Sequence, residues 1–69
     1  MSAARTFTVL LYEDGNWFVA QCVENNVASQ GKSIDEALEN LREALTLYYE
    51  DARPPIFTKK FVTTLELAL

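Results

Sequence analysis

Apolar and polar positions alternate along RTFTVLLYE (residues 5–13), with Phe7, Val9 and Leu11 on one side and Thr6, Thr8, Leu10 and Tyr12 on the other. A period of two over this length, in β-branched and aromatic residues, predicts a strand. NWFVAQCVE (residues 16–24) repeats the pattern and predicts the return strand. Between them stands Asp14-Gly15, a preferred pair for a two-residue type I′ hairpin turn. With that pair as the turn, Tyr12 faces Trp17, Leu11 faces Phe18, Leu10 faces Val19 and Val9 faces Ala20. One face of the hairpin then holds Phe7, Val9, Leu11, Phe18, Ala20 and Cys22, a clean core face. The other holds Thr8, Leu10, Tyr12, Trp17, Val19, Gln21 and Val23, a mixed face with two large aromatics.

The pattern changes after the hairpin. ENN reads as a turn and VASQG (residues 27–31) as a short third strand. Ser33 is a good helix N-cap, and Glu36 three residues later completes a capping box. From there Ile34, Ala37, Leu38, Leu41, Ala44, Leu45 and Tyr48 follow the 3, 4, 7 spacing of one buried helical stripe. Asp35, Glu36, Glu39, Arg42, Glu43 and Glu50 fill the outer side. Pro54 and Pro55 cannot continue a helix and end it. FTKKFVTTLELAL (residues 57–69) is rich in β-formers and predicts a last strand. The order is β-β-β-α-β, an α+β fold. A right-handed crossover through the helix sets the fourth strand beside the first. The expected architecture is a four-stranded mixed sheet of order 3-2-1-4 with one helix packed on one face. The face with Leu10, Tyr12, Trp17 and Val19 is left with nothing to cover it.

Length and composition narrow the possibilities. Sixty-nine residues make a single domain. A chain this short buries only about 60% of its unfolded surface and needs help from disulfides, metals or association. Cys22 is the only cysteine and histidine is absent, so neither an internal disulfide nor a structural zinc site is expected. Self-association remains, and a homo-oligomer, most simply a dimer, is expected, with Trp17 and Tyr12 as its anchors. A lone thiol and no signal peptide point to the cytoplasm. The net charge is -4 and the basic residues are scattered, with Lys59 and Lys60 the adjacent pair. Direct nucleic-acid binding needs clustered Lys and Arg, so a basic protein is the better-matched partner. The apolar run near the N-terminus is too short to span a membrane.

From residue 6 to residue 50 the chain resembles the HicB-like antitoxin family. The resemblance rests on Asp14-Gly15, on Trp17 to Ala20, on Gly31 and Ser33, and on Glu36-Ala37, Asn40 and Glu43-Ala44 in the E-A-x-x-N-x-x-E-A helix. It implies a partial RNase H-like fold over a single HicB-like domain, residues 1–69. It also implies a partner, a small basic mRNA-cleaving ribonuclease toxin of the HicA type that the module binds and masks. Family antitoxins usually carry a C-terminal DNA-binding domain after this module. This chain ends with the expected fourth strand, so operator binding is not expected of it. The alternative is a stand-alone oligomeric structural or regulatory protein with no toxin partner.

An RNase H likeness raises the question of catalysis. Two-metal nucleases need several carboxylates converging on two ions. Here Glu13 and Asp14 fall in a turn, Glu24 at a strand end, and Asp35 and Glu36 at a helix start. None falls mid-strand, so no enzyme activity, metal or cofactor is expected. Cys22 falls on the core face, as a small buried hydrophobe. The expected interface residues are Leu10, Tyr12, Trp17 and Val19 on the sheet and Glu36, Glu39 and Glu43 on the helix. The carboxylates would meet a basic partner, and the apolar set would hold it.

Overall fold

Alternation in the first two segments produces a hairpin of β1 (Val9–Asp14) and β2 (Trp17–Cys22), and β3 (Ala28–Gly31) adds antiparallel to β2. Among the described residues one helix follows, α1 (Ile34–Tyr48). The structure is a computed structural model describing residues 5–50 and 60–69. The fold is α+β, a three-stranded antiparallel sheet of order β1-β2-β3 with α1 against β2 and β3.

The hairpin register differs from the expected one. Asp14 pairs with Trp17, so the turn residues are Gly15 and Asn16, and Tyr12 faces Val19 rather than Trp17. Gly15 takes a φ of 61° at the first turn position, while Asn16 does not have positive φ. A type I′ turn requires positive φ at both central positions. An Asp14-Gly15 turn of that type would force a positive φ on Asp14; with the turn moved on by one residue, Gly15 alone takes it, at no steric cost. Each cross-strand partner therefore moves by two. A slip of one residue exchanges the faces of a sheet, whereas a slip of two preserves them. The assignment of residues to the two faces survives the change, but Leu11, expected in the core, lies on the edge strand and is 41% exposed.

The core lies where the first face meets the helix. Ala20, Cys22, Ala37 and Leu41 are buried together, with Phe7, Val9, Phe18, Val27 and Leu45 packed against them. The helix is narrower on its buried side than the sequence stripe suggests. Ile34, Leu38 and Tyr48 are exposed. The inward row runs at a spacing of four, through Ala37, Leu41, Leu45 and Tyr49. Tyr49, not Tyr48, turns toward the sheet. Its ring lies 5.8 Å from that of Phe7, and its hydroxyl accepts a 2.8 Å hydrogen bond from Asn25 Nδ2.

Local polar chemistry fixes both ends of β3. Before it, Asn26 adopts a φ of 64°. The Asn25 side chain accepts from the Val27 N–H at 3.0 Å, and Cys22 N–H donates to the Val27 carbonyl at 2.7 Å. After it, Ser33 Oγ accepts from the Glu36 N–H at 3.1 Å, the expected cap. Glu36 Oε1 accepts from the N–H of Lys32, one residue before the cap, at 3.0 Å. Asn40 Nδ2 donates to the Gln30 carbonyl at 2.8 Å, tying helix to strand.

The fourth strand and the order 3-2-1-4 are not seen. Residues 57–59 of the expected strand lie outside the described residues. Residues 60–69 carry no strand and are exposed throughout. A strand is held by its neighbour's ladder, and no pairing between this segment and β1 is formed. β1 and β3 are the two edges of the sheet.

Candidate functional site

The helix covers one face of the sheet and leaves the other open. Leu10, Tyr12 and Trp17 rise from that open face, 41%, 49% and 37% exposed. Val19 shares the face but is only 8% exposed. It sits on the central strand between Tyr12 and Gln30. Val19 therefore supports its neighbours and offers little contact surface. Tyr12 and Trp17 are diagonal rather than opposite because of the register change. Lys32 Nζ lies 4.3 Å from the centroid of the Trp17 ring, a cation–π contact at the rim of the face.

The acidic residues form a separate cluster. Glu36, Glu39 and Glu43 are all exposed on α1, which packs on the sheet face opposite to Leu10, Tyr12 and Trp17. Glu36 is committed in part to the Lys32 N–H. Glu39 lies 3.7 Å from Arg42, a pair exposed on both sides. Such a pair contributes about 0–1 kcal/mol. The seven expected interface residues thus divide between two sides of the molecule. Lys32 touches both clusters, through its backbone to Glu36 and its side chain to Trp17.

A third feature comes from packing rather than from any one segment of the chain. A groove of about 810 Å³ runs between β1 and α1, lined chiefly by Phe7, Val9, Leu38, Leu41, Leu45 and Tyr49. Arg5, Arg42 and Thr46 complete its lining. The groove exists because α1 packs on β2 and β3 and leaves the outer half of β1 thinly covered. The clue in the sequence is Leu38, an apolar helix position that the three strands do not bury.

The reactive groups have structural roles. Cys22 is buried, and its Sγ lies 3.5 Å from Glu24 Oε1 as a donor. Desolvation pushes its thiol above the ordinary value, which keeps it protonated and inert. Glu24 Oε1 accepts from the Thr8 N–H at 2.8 Å, pinning the start of the hairpin. Desolvation raises the Glu24 carboxyl, but the hydrogen bonds led by Thr8 outweigh it and hold the group below the usual value. Among the described residues no three His, Cys, Asp or Glu side chains gather as a metal site. No helix among them is long and apolar enough to cross a membrane.

A family of unknown function, DUF7387, is described by a model that matches residues 3–66. The chain belongs to this family. No curated protein and no solved structure gives a significant match. The family description names no activity, so a functional reading of this member rests on its surfaces. Those are the open sheet face, the acidic helix exterior and the groove beside β1.

Proposed function

We propose that the chain is a non-catalytic, cytoplasmic protein-binding module, an antitoxin that masks a small basic ribonuclease of the HicA type. The observation that carries this reading is the row of Leu10, Tyr12 and Trp17 left uncovered on the sheet. Large, rigid aromatics with partial exposure are the usual anchors of protein interfaces. The resemblance to HicB-like antitoxins and the net charge of -4 support a basic partner. The apolar row holds the partner, while Glu36, Glu39 and Glu43 on the far side speed encounter through the field of the whole module. In the complete fold, the segment from residue 57 to residue 69 forms a fourth strand beside β1, giving the order 3-2-1-4 of a partial RNase H-like sheet. The module self-associates, and nothing in it binds nucleic acid directly.

Co-expression with the product of the adjacent reading frame, followed by pull-down, tests the reading. Capture of a basic protein of roughly 60–80 residues, lost on Trp17→Ala, is the expected result. Neutralising Glu36, Glu39 and Glu43 together should slow association in stopped flow and flatten its salt dependence, with little change in dissociation. Failure of the module to bind or inhibit any such neighbour would overturn the antitoxin reading. The alternative, a stand-alone oligomeric regulatory protein, draws on a separate observation, the exposed apolar segment at residues 60–69.

A further inference from the structure

Residues 60–69 read KFVTTLELAL, and the odd positions are Phe61, Thr63, Leu65, Leu67 and Leu69. The even positions are Lys60, Val62, Thr64, Glu66 and Ala68. This is the period-two pattern of a strand with one apolar side. Phe61, Leu65 and Leu67 are 88%, 91% and 74% exposed, so the apolar side is open to solvent. Contiguous apolar exposure on this scale marks an interaction surface.

The chain also holds an acceptor. β1 is an edge strand, and its pairing with β2 runs without a bulge from Val9 to Asp14. Glu13 and Asp14 charge the turn end of β1, but from Val9 to Tyr12 it has no charge and no proline. Natural sheets protect their edges with charges, prolines and bulges, and this stretch has none of them. On the helix side of the same edge lies the groove lined by Phe7, Val9, Leu38 and Leu45. A strand added along β1 places alternate side chains over that groove. An amphipathic strand with one apolar side has the geometry the site requires.

We infer that residues 60–69 of one copy pair with the outer edge of β1 of a second copy, seating Phe61, Leu65 and Leu67 in the groove between β1 and α1, and that two copies exchange the segment reciprocally. The inference rests on the reading of this segment as the strand beside β1, and it names the chain that supplies it. A second copy is favoured over closure within one chain for two reasons. The described segment stays exposed although its own β1 edge is unpaired. The core is also small, with Val19, Ala20, Cys22, Ala37 and Leu41 its buried apolar residues among those described. A chain of this size gains most from association, because burying a partner's apolar strand enlarges the core. Exchange also leaves Leu10, Tyr12 and Trp17 open on the other face, available to a different protein.

The test is sedimentation of the full chain from low micromolar to near-millimolar concentration, with three variants. Wild type should be a dimer. Leu65→Lys/Leu67→Lys, on the donated strand, and Leu38→Lys, on the exposed lip of the acceptor groove, should each weaken the dimer at least tenfold. Their helical circular dichroism should remain, since neither change touches a buried residue. Trp17→Ala should leave the dimer intact. A dimer unaffected by both lysine variants would overturn the exchange, and the fourth-strand reading with it if Leu65→Lys/Leu67→Lys also left the urea midpoint unmoved. A wild-type monomer at every concentration would overturn the exchange alone if Leu65→Lys/Leu67→Lys lowered its urea midpoint, because the strand would then close on its own β1. If that midpoint did not move, the fourth strand would fall as well.

Discussion

Gly31 is expected to be the least replaceable residue in the scaffold, for a steric reason. It ends β3, two residues before the cap of α1, and the helix start passes directly over it. A Cβ built on Gly31 would lie 2.6 Å from Ala37 N, 2.8 Å from Glu36 C and 2.9 Å from Glu36 Cβ. Two of these contacts are backbone atoms, which cannot swing aside. The helix start is itself pinned, since Ala37 N–H donates to the Ser33 carbonyl at 2.9 Å and Ser33 Oγ holds the Glu36 N–H. Moving it several tenths of an ångström strains the cap, whose loss costs about 1 kcal/mol. Overpacking adds about 1–3 kcal/mol. The reduced freedom of the unfolded chain returns about 0.4–1 kcal/mol. Gly31→Ala should therefore lose about 1–3 kcal/mol, a large share of the roughly 3–10 kcal/mol available to a chain this long. Gly15 is the control. Its φ is 61° and nothing lies within 4 Å of its Cβ position, so Gly15→Ala costs about 1–2 kcal/mol of backbone strain and no clash. Urea unfolding followed by circular dichroism, at one protein concentration, reads both. Lengthening the side chain from Ala to Ser should deepen the loss at position 31 and leave it unchanged at 15. A Gly31→Ala protein within about 0.5 kcal/mol of wild type would refute the close approach.

Leu41→Ala should cost about 2–5 kcal/mol, because Leu41 is the largest fully buried side chain among the described residues, and thermal unfolding should lose its cooperativity. The Glu24 carboxyl sits below its ordinary value, so its stabilisation is present above the unfolded value and is lost as pH falls through the folded one. The urea midpoint should drop on acidification below about pH 4.5, and Glu24→Gln should flatten that part of the profile. The Cys22 thiol is raised by burial, so its contribution is present below the unfolded value and is lost as pH rises through the folded one. Thiol labelling at pH 8 should accordingly be slow in the native protein and fast in urea.

The faces of the hairpin were legible because a period of two survives errors of register. The turn itself was not, because Asp14-Gly15 and Gly15-Asn16 are both acceptable pairs, and what separates them is that Asp14 does not take the positive φ that the first would require. The cap at Ser33 was legible, since three residues set it locally. The choice of Tyr49 over Tyr48 was not. Both fit an apolar stripe, and the Phe7 ring and the Asn25 amide decide between them. Among the interface residues, exposure at Leu10, Tyr12 and Trp17 followed from counting one helix against two faces. The burial of Val19 depends on its place on the middle strand, which alternation does not encode. The groove beside β1 was not legible because it arises from where α1 sits, a property of packing rather than of any one segment.

Most of the positions that carry the HicB-like resemblance have scaffold roles, with Trp17 and Glu43, on the exposed surfaces, as the exceptions. Gly15 turns the hairpin, Gly31 admits the helix start, Ser33 caps it and Glu36 binds the Lys32 N–H. Ala37 is buried, and Asn40 fastens the helix to Gln30. A resemblance built from such positions specifies a scaffold, and one scaffold supports many activities. Function in this chain must therefore come from what the scaffold leaves uncovered: the open face, the acidic helix exterior, the groove and the apolar segment at residues 60–69. These surfaces point in different directions, so a second copy and a basic partner need not compete. Strand exchange at the β1 edge would enlarge the small core, while Leu10, Tyr12 and Trp17 stay available for recognition. On the proposed reading, self-association and partner binding are separable by mutation: Leu38→Lys should weaken the first and Trp17→Ala the second.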